Sequence, residues 1–243
     1  MPEILHQDKK IEYSLKFRAW KRRLTLRINQ EGEVAVSAPK SARQKDIEAF
    51  VLKHADWIFR QTDFFRNRLA EHPPREFVSG ESFPVLGKNY RFQFAISEAV
   101  KRNFCGIEDG CLRMVLPAGK QNDLKEAARR ALMDFYKGLA AQKIQEHMQQ
   151  YAPILGVTPA KCRVGNQKSR WGSCSGKGNL RFNWRLAMTP APVLEYVVVH
   201  ELCHLKHPNH SDRFWRMVQS VLPDYKSRRV WLRLNSLALF RMI

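Results

Sequence analysis

The sequence predicts an α+β protein, with a β-rich N-terminal part carrying one helix, followed by a mainly helical part with a small sheet. Three observations predict it. Short runs of alternating apolar and polar residues, the period of a half-buried strand, recur up to Val115. Beyond that point helix-period patterns with recognisable start signals take over. Between the two lies Leu116-Pro117-Ala118-Gly119-Lys120, the best candidate boundary, which divides the 243 residues into 1–118 and 119–243.

In the first part, Arg23 to Ile28 alternates as a strand, Glu31-Gly32-Glu33 is a turn, and Val34 to Ser37 completes a hairpin. Ser41 and Gln44 are spaced as a capping box, opening a helix whose core face takes Ile47, Phe50, Val51, Trp57, Ile58 and Phe65. Pro73-Pro74 ends it. Strands are expected again over Glu81–Val85 and Tyr90–Ile96, with one or two more between Ala99 and Val115.

In the second part, Asp123 with Glu126 forms another capping box, starting a helix that runs to about Tyr151. Its expected buried stripe is Leu124, Ala128, Leu132, Phe135, Leu139 and Ile144. Lys161–Val164 and Leu180–Trp184 read as strands joined by the loop Gly165–Asn179. Thr189-Pro190 starts a helix over Val193 to about Lys206, and two more are expected beyond it, Ser211–Val221 and about Tyr225–Leu239.

Composition narrows the function classes. No apolar run approaches the ~20 residues of a membrane helix, and Met1 to Lys10 does not read as a hydrophobic signal segment. Five cysteines without a C-x-x-C pair argue against a disulfide framework or a zinc ribbon. The expectation is a cytoplasmic, reduced protein with no membrane partner. A formal charge of +19, from 42 Lys+Arg against 23 Asp+Glu, attracts anions over a Debye length of ~8–10 Å. Nucleic acid, nucleotides and acidic proteins are therefore conceivable partners, beside plain solubility.

The chemistry is concentrated at His200-Glu201-Leu202-Cys203-His204 and, after five intervening residues, His210. Histidines four apart on a helix lie on one face, so both imidazoles can reach one metal. His210, beyond a Pro208-Asn209 turn, would complete a three-histidine zinc site. His207 is the rival third ligand, disfavoured because Pro208 turns the chain there. Cys203 reads as core packing. Three neutral imidazoles leave Zn2+ an open position where a bound water becomes acidic, and Glu201 would take that water's proton. Asp212 and Glu195 are candidates for orienting the imidazoles.

These residues resemble the YgjP-like metallopeptidase family, zincin-type proteins akin to SprT-like and WLM-type proteases. The likeness runs through Ser169–Ser175, Asn179–Leu186, Tyr196–His204 and Asn209–Ser211 to Phe214-Trp215. It also covers Arg22–Ile28 and Gly80–Gly87. The resemblance implies a zincin-like second domain, zinc ligands at His200, His204 and His210, and a catalytic glutamate at Glu201. The ligand spacing is shared with metzincins, but His207-Pro208 replaces their glycine turn and no Met-turn is evident.

The family label implies a peptide or protein substrate. Pyrophosphatase activity towards uridine triphosphate has also been attributed to members, which keeps a nucleotide substrate open. The loop around Arg170, Trp171 and Ser173 gathers cations, hydroxyls and amides that could hold a phosphate or a peptide carbonyl, or simply pack as a structural loop. Asn183 on the next strand is a weaker substrate-orienting candidate. No P-loop is present. A third reading is a nucleic-acid module, from Lys16, Arg18, Lys21, Arg22, Arg23 and Arg27 with Phe17 and Trp20 interleaved.

Overall fold

The computed structural model describes residues 2–29, 32–71, 75–119 and 123–243, with the side chains of 66 and 68–71 excepted. The fold is α+β, with three small sheets and six α-helices among the described residues. It divides into two compact units, Met1–Pro73 and Pro74–Ile243.

The first unit is a four-stranded sheet in the order β1-β2-β4-β3. The hairpin β1 (Glu3–His6) and β2 (Lys9–Phe17) precedes β3 (Thr25–Ile28) and β4 (Val34–Ala38). The expected antiparallel pairing of β3 with β4 is present, and β2 lies parallel to β4 on its other side. Glu31 of the expected turn lies outside the described residues, as do Pro73-Pro74 and Lys120.

The single helix expected after Ser41 is two, α1 (Gln44–Lys53) and α2 (Ala55–Glu71), broken at His54. Its capping box does not form. The helix starts at Gln44 with Arg43 as cap residue, two positions later than Ser41 would need, and Arg43 pairs instead with Asp46 at 3.0 Å. Ile47, Val51, Ala55 and Ile58 pack on Ile11, Tyr13, Val34 and Val36 of the sheet, whereas Trp57 is 39% exposed.

The second unit begins with another four-stranded sheet, β5-β6-β8-β7, from β5 (Ser82–Val85), β6 (Lys88–Ser97), β7 (Phe104–Glu108) and β8 (Cys111–Pro117). This sheet does not stand apart from the helices after it, so the division falls at residue 73 rather than at 118. Phe83, Phe92, Leu112 and Met114 share one core with Leu132 and Tyr136 of the long helix α3 (Leu124–Leu155) and with Trp184. The Tyr136 hydroxyl donates to the Pro84 carbonyl at 2.7 Å, and the Leu86 amide to the Ala187 carbonyl at 2.7 Å. Burying the inner face of the sheet against α3 is the physical reason: alone, it would leave that apolar face in water.

Asp123 caps α3 as expected, accepting from the Glu126 amide at 3.0 Å, but Glu126 turns outward to Arg129 and Arg130 and does not close the box. Leu124, placed in the buried stripe by its spacing in the sequence, is 43% exposed at the first turn. Gly156 ends the helix in the left-handed conformation, φ 61°.

Next comes a three-stranded sheet, β10-β11-β9, from β9 (Lys161–Gly165), β10 (Gly172–Cys174) and β11 (Asn179–Asn183). Strand β10 lies inside the segment that the sequence presents as a loop. A 3-10 turn over Trp184–Met188 leads into α4 (Ala191–Cys203), α5 (Asp212–Val221) and α6 (Tyr225–Arg241). No described helix is long and apolar enough to cross a membrane, and all five cysteines are free.

Candidate metal centre

Helix α4 is buried on nearly every side. Val193, Leu194, Val197, Val198, Val199, Leu202 and Cys203 are all core residues, so the helix is held as a rigid rod. The polar residues His200 and Glu201 on such a rod need a specific environment. His200 and His204, one turn apart, bring their Nε2 atoms to 3.2 Å. The helix then closes in turns (the Lys206 and His207 amides both donate to the Cys203 carbonyl), and the chain reverses through Pro208-Asn209. This returns His210 at the start of α5, with its Nε2 3.0 Å from that of His200.

The three rings converge, with one ligand atom from each within 4.8 Å of the others. His207 is not among them. Its backbone carbonyl lies 3.0 Å from His204 Nδ1. A carbonyl only accepts, so Nδ1 carries the proton and Nε2 presents a lone pair to the cluster. The Tyr196 hydroxyl is 3.3 Å from His200 Nδ1 and holds the orientation of that ring. Glu195 and Asp212, the candidates from sequence, are not the partners. Glu195 is taken up by Tyr151 (2.5 Å) and Arg228 (2.5 Å).

Lone pairs crowded this closely repel unless a cation lies among them, so the donor set fits a divalent metal. Burial first, and then the charges of His204 and His210, push His200 down to about 3, keeping the ring neutral as a ligand must be. His210 shifts in the same direction, also chiefly through burial.

Aromatic packing fixes the rings. Phe214 lies 4.5–4.9 Å from all three imidazole centroids, and Trp215 stacks on His210 at 5.4 Å and 20°. Tyr225 stacks on Trp215 at 5.2 Å, and the Arg229 guanidinium lies 4.9 Å from the indole centroid. Sequence reasoning assigned none of these a role. Tyr196 was findable, since it lies four residues before His200 on the same helix face.

Glu201 is 5% exposed, and its Oε2 is buried without a hydrogen-bond partner among the described residues. Burial pushes its carboxyl up to about 8. Strand β10 passes directly over it: a Cβ on Gly172 would stand 2.5 Å from Glu201 Oε1 and 2.6 Å from its Cγ. Only glycine leaves room for the carboxylate there.

A cavity of about 530 Å³ opens over the cluster, lined by the three histidines, Glu201, Arg170, β10 and the Ser175–Gly178 turn. Of the four substrate-binding candidates, Arg170 and Ser173 line it; Trp171 and Asn183 do not. Trp171 packs on Phe240 of α6 and donates its indole N–H to Ser236 Oγ at 2.8 Å. Asn183 is fully buried. Its amide donates to the Gln167 and Arg170 carbonyls at 2.7 and 3.0 Å, and its Oδ1 accepts from the Arg185 amide at 3.1 Å. It fastens the loop that carries Arg170.

A crystal structure of the metallopeptidase zymogen of Pyrococcus abyssi abylysin aligns with 41% of this chain and 99% of its own, at 24% identity and a TM-score of 0.35. No curated protein matches the chain. The YgjP-like metallopeptidase domain matches residues 22–235, which include the histidine cluster, both second-unit sheets and most of the first unit. With a converging three-histidine cluster at its centre, the chain belongs to the YgjP-like metallopeptidase family.

Proposed function

We propose that the protein is a zinc-dependent peptidase in which His200, His204 and His210 hold the metal and Glu201 is the general base. The observation that carries this is the meeting of three imidazole nitrogens and a buried Glu201 oxygen that has no hydrogen-bond partner among the described residues, all in one cavity. An all-nitrogen set of three is a common zinc arrangement, and a metal held there supplies a Lewis acid that acidifies water and polarises a carbonyl. Glu201, locked by Gly172 above and the α4 core below, would accept the proton of the attacking water as a carboxylate, the form that a cation held by the neighbouring histidines favours against the effect of burial, and deliver it to the leaving amine. Phe214 and Trp215 pack against the histidine rings and hold their orientation.

Strand β10 supports a peptide as substrate. It is the edge of its sheet, and the bonds Asn183 N–H to Trp171 O (2.8 Å) and Ser175 N–H to Asn179 O (3.0 Å) set its phase. Hydrogen-bonded pairs alternate in an antiparallel ladder, so the main-chain groups of Gly172 and Cys174 face away from β11. An extended peptide can pair there beside the histidines.

The test is cleavage of a peptide library by zinc-loaded protein beside Glu201→Gln. The variant should bind zinc equally and lose about 10²–10⁴-fold in rate; equal cleavage by both removes Glu201 from the mechanism. Arg170 on the cavity wall favours a second reading, hydrolysis of a nucleoside triphosphate to release pyrophosphate. Pyrophosphate release from a nucleotide panel decides it, and absence of metal-dependent release rejects it.

A further inference from the structure

Between Glu12 and Glu31 the chain carries six cations (Lys16, Arg18, Lys21, Arg22, Arg23 and Arg27) and no acid. The fold of the first unit gathers them. Because β2 is parallel to β4 and β3 antiparallel, the end of β2, the start of β3 and the end of β4 meet at one end of the sheet. The Arg18 amide donates to the Ala38 carbonyl at 2.8 Å, and Lys21 to the Thr25 hydroxyl, tying the connecting segment to that end.

Register sorts the side chains. Tyr13, Val34 and Val36 face the helices, so Ser14, Lys16, Thr25, Arg27, Ala35 and Ser37 share the opposite face. There, small residues make a shallow floor, flanked by Lys16 on β2 and Arg27 on β3, both exposed. At the rim stand Trp20, 77% exposed, and Lys21, whose Nζ lies 5.8 Å from the Trp20 ring centroid. Arg18, Arg22, Arg23 and Lys40 are exposed around them. None of Lys16, Arg18, Arg22, Arg23, Arg27 and Lys40 has an acidic partner among the described residues.

We propose that this face binds single-stranded nucleic acid, independently of the metal centre. Unpaired cations around a shallow floor suit a phosphate backbone, and an indole standing free in solvent suits a base face. A single strand is favoured over a duplex because its bases are open to stacking. Moreover, the cations lie on a sheet face and a connecting segment rather than on a helix or ribbon that could enter a groove. An acidic protein would use the cations but leave the indole without a purpose.

The experiment is fluorescence anisotropy of a labelled twelve-nucleotide oligothymidine with the full metal-free chain across a salt series. Trp20→Ala should weaken binding about five- to hundredfold, and Trp20→Phe should keep most of it. The triple change Arg18→Gln, Arg22→Gln, Arg23→Gln should weaken binding at least tenfold and flatten the salt slope by about 0.7 per cation removed. A charge-matched control, Lys101→Gln, Arg102→Gln, Lys226→Gln, alters three exposed cations of the other unit and should change binding less than twofold. The proposal is overturned by absence of binding, an unaffected Trp20→Ala, or a control as damaging as the patch variant. Equal or tighter binding of blunt duplex, polyglutamate or phosphatidylserine vesicles overturns it too. Failure of the peptidase reading leaves this test untouched.

Discussion

At the scale of single residues, the meeting of His200 and His204 was legible in the sequence because i, i+4 spacing on a helix is a rigid geometric rule. His210 over His207 was also legible, from the proline that turns the chain. What held the rings was not, since the partners come from backbone or from sheet register: the His207 carbonyl, and Gly172 above Glu201. Two expected outcomes belong here. Tyr196→Phe removes the hydroxyl from His200 Nδ1 and should weaken zinc affinity about ten- to hundredfold in chelator competition, with folding intact. Gly172→Ala places a methyl where Glu201 Oε1 lies; peptide cleavage should fall at least tenfold while bound zinc, measured by metal analysis, stays near one per chain.

At the scale of elements, the helices α3, α4 and α5 were readable, because start signals mark them and their patterns run for ten residues or more. Strand β10 was hidden. Three residues cannot show a period, and Ser169-Arg170-Trp171-Gly172 has turn composition; pairing with β11 is what makes it a strand. Asn183 was misread for a related reason, since a polar residue beside a site looks functional until its burial is known. Its three bonds span the Gln167–Arg185 region, so Asn183→Ala should destabilise by about 2–3 kcal/mol in chemical denaturation. Gly87 joins β5 to β6 with φ 82°, and a Cβ there would meet Pro190 Cα at 2.7 Å. Gly87→Ala should therefore cost more than the usual ~1 kcal/mol of a positive-φ site, because it also pushes the start of α4.

At the scale of the whole chain, the boundary at 118 was inferred from a local Pro-Gly signal, yet shared burial decides which elements fold together. Phe83 and Phe92 complete a core with Tyr136 and Trp184, and no local signal reports that. One network ties three helices of the second unit: Tyr151 of α3 donates to Glu195 of α4, which pairs with Arg228 of α6. Burial, and then the bond to Glu195, push the Tyr151 phenol up to about 12. A phenol raised above its ordinary value of about 10 contributes stability that is complete below pH 10 and lost as pH rises through 12. Thermal melts should lose stability across that window, and Tyr151→Phe should flatten the loss. Chelation should lower the melting temperature of the zinc-loaded protein, since metal at a hundredfold excess over Kd adds about 2.7 kcal/mol. The three histidines differ in how they arrive. Two ride on a single rod, while the last crosses a reversal of the backbone to reach them. An ion seated among them becomes a clasp between consecutive helices, fastening α5 to α4 across the Pro208-Asn209 bend, and an empty clasp should let amides near His210 exchange with solvent sooner than those of α4.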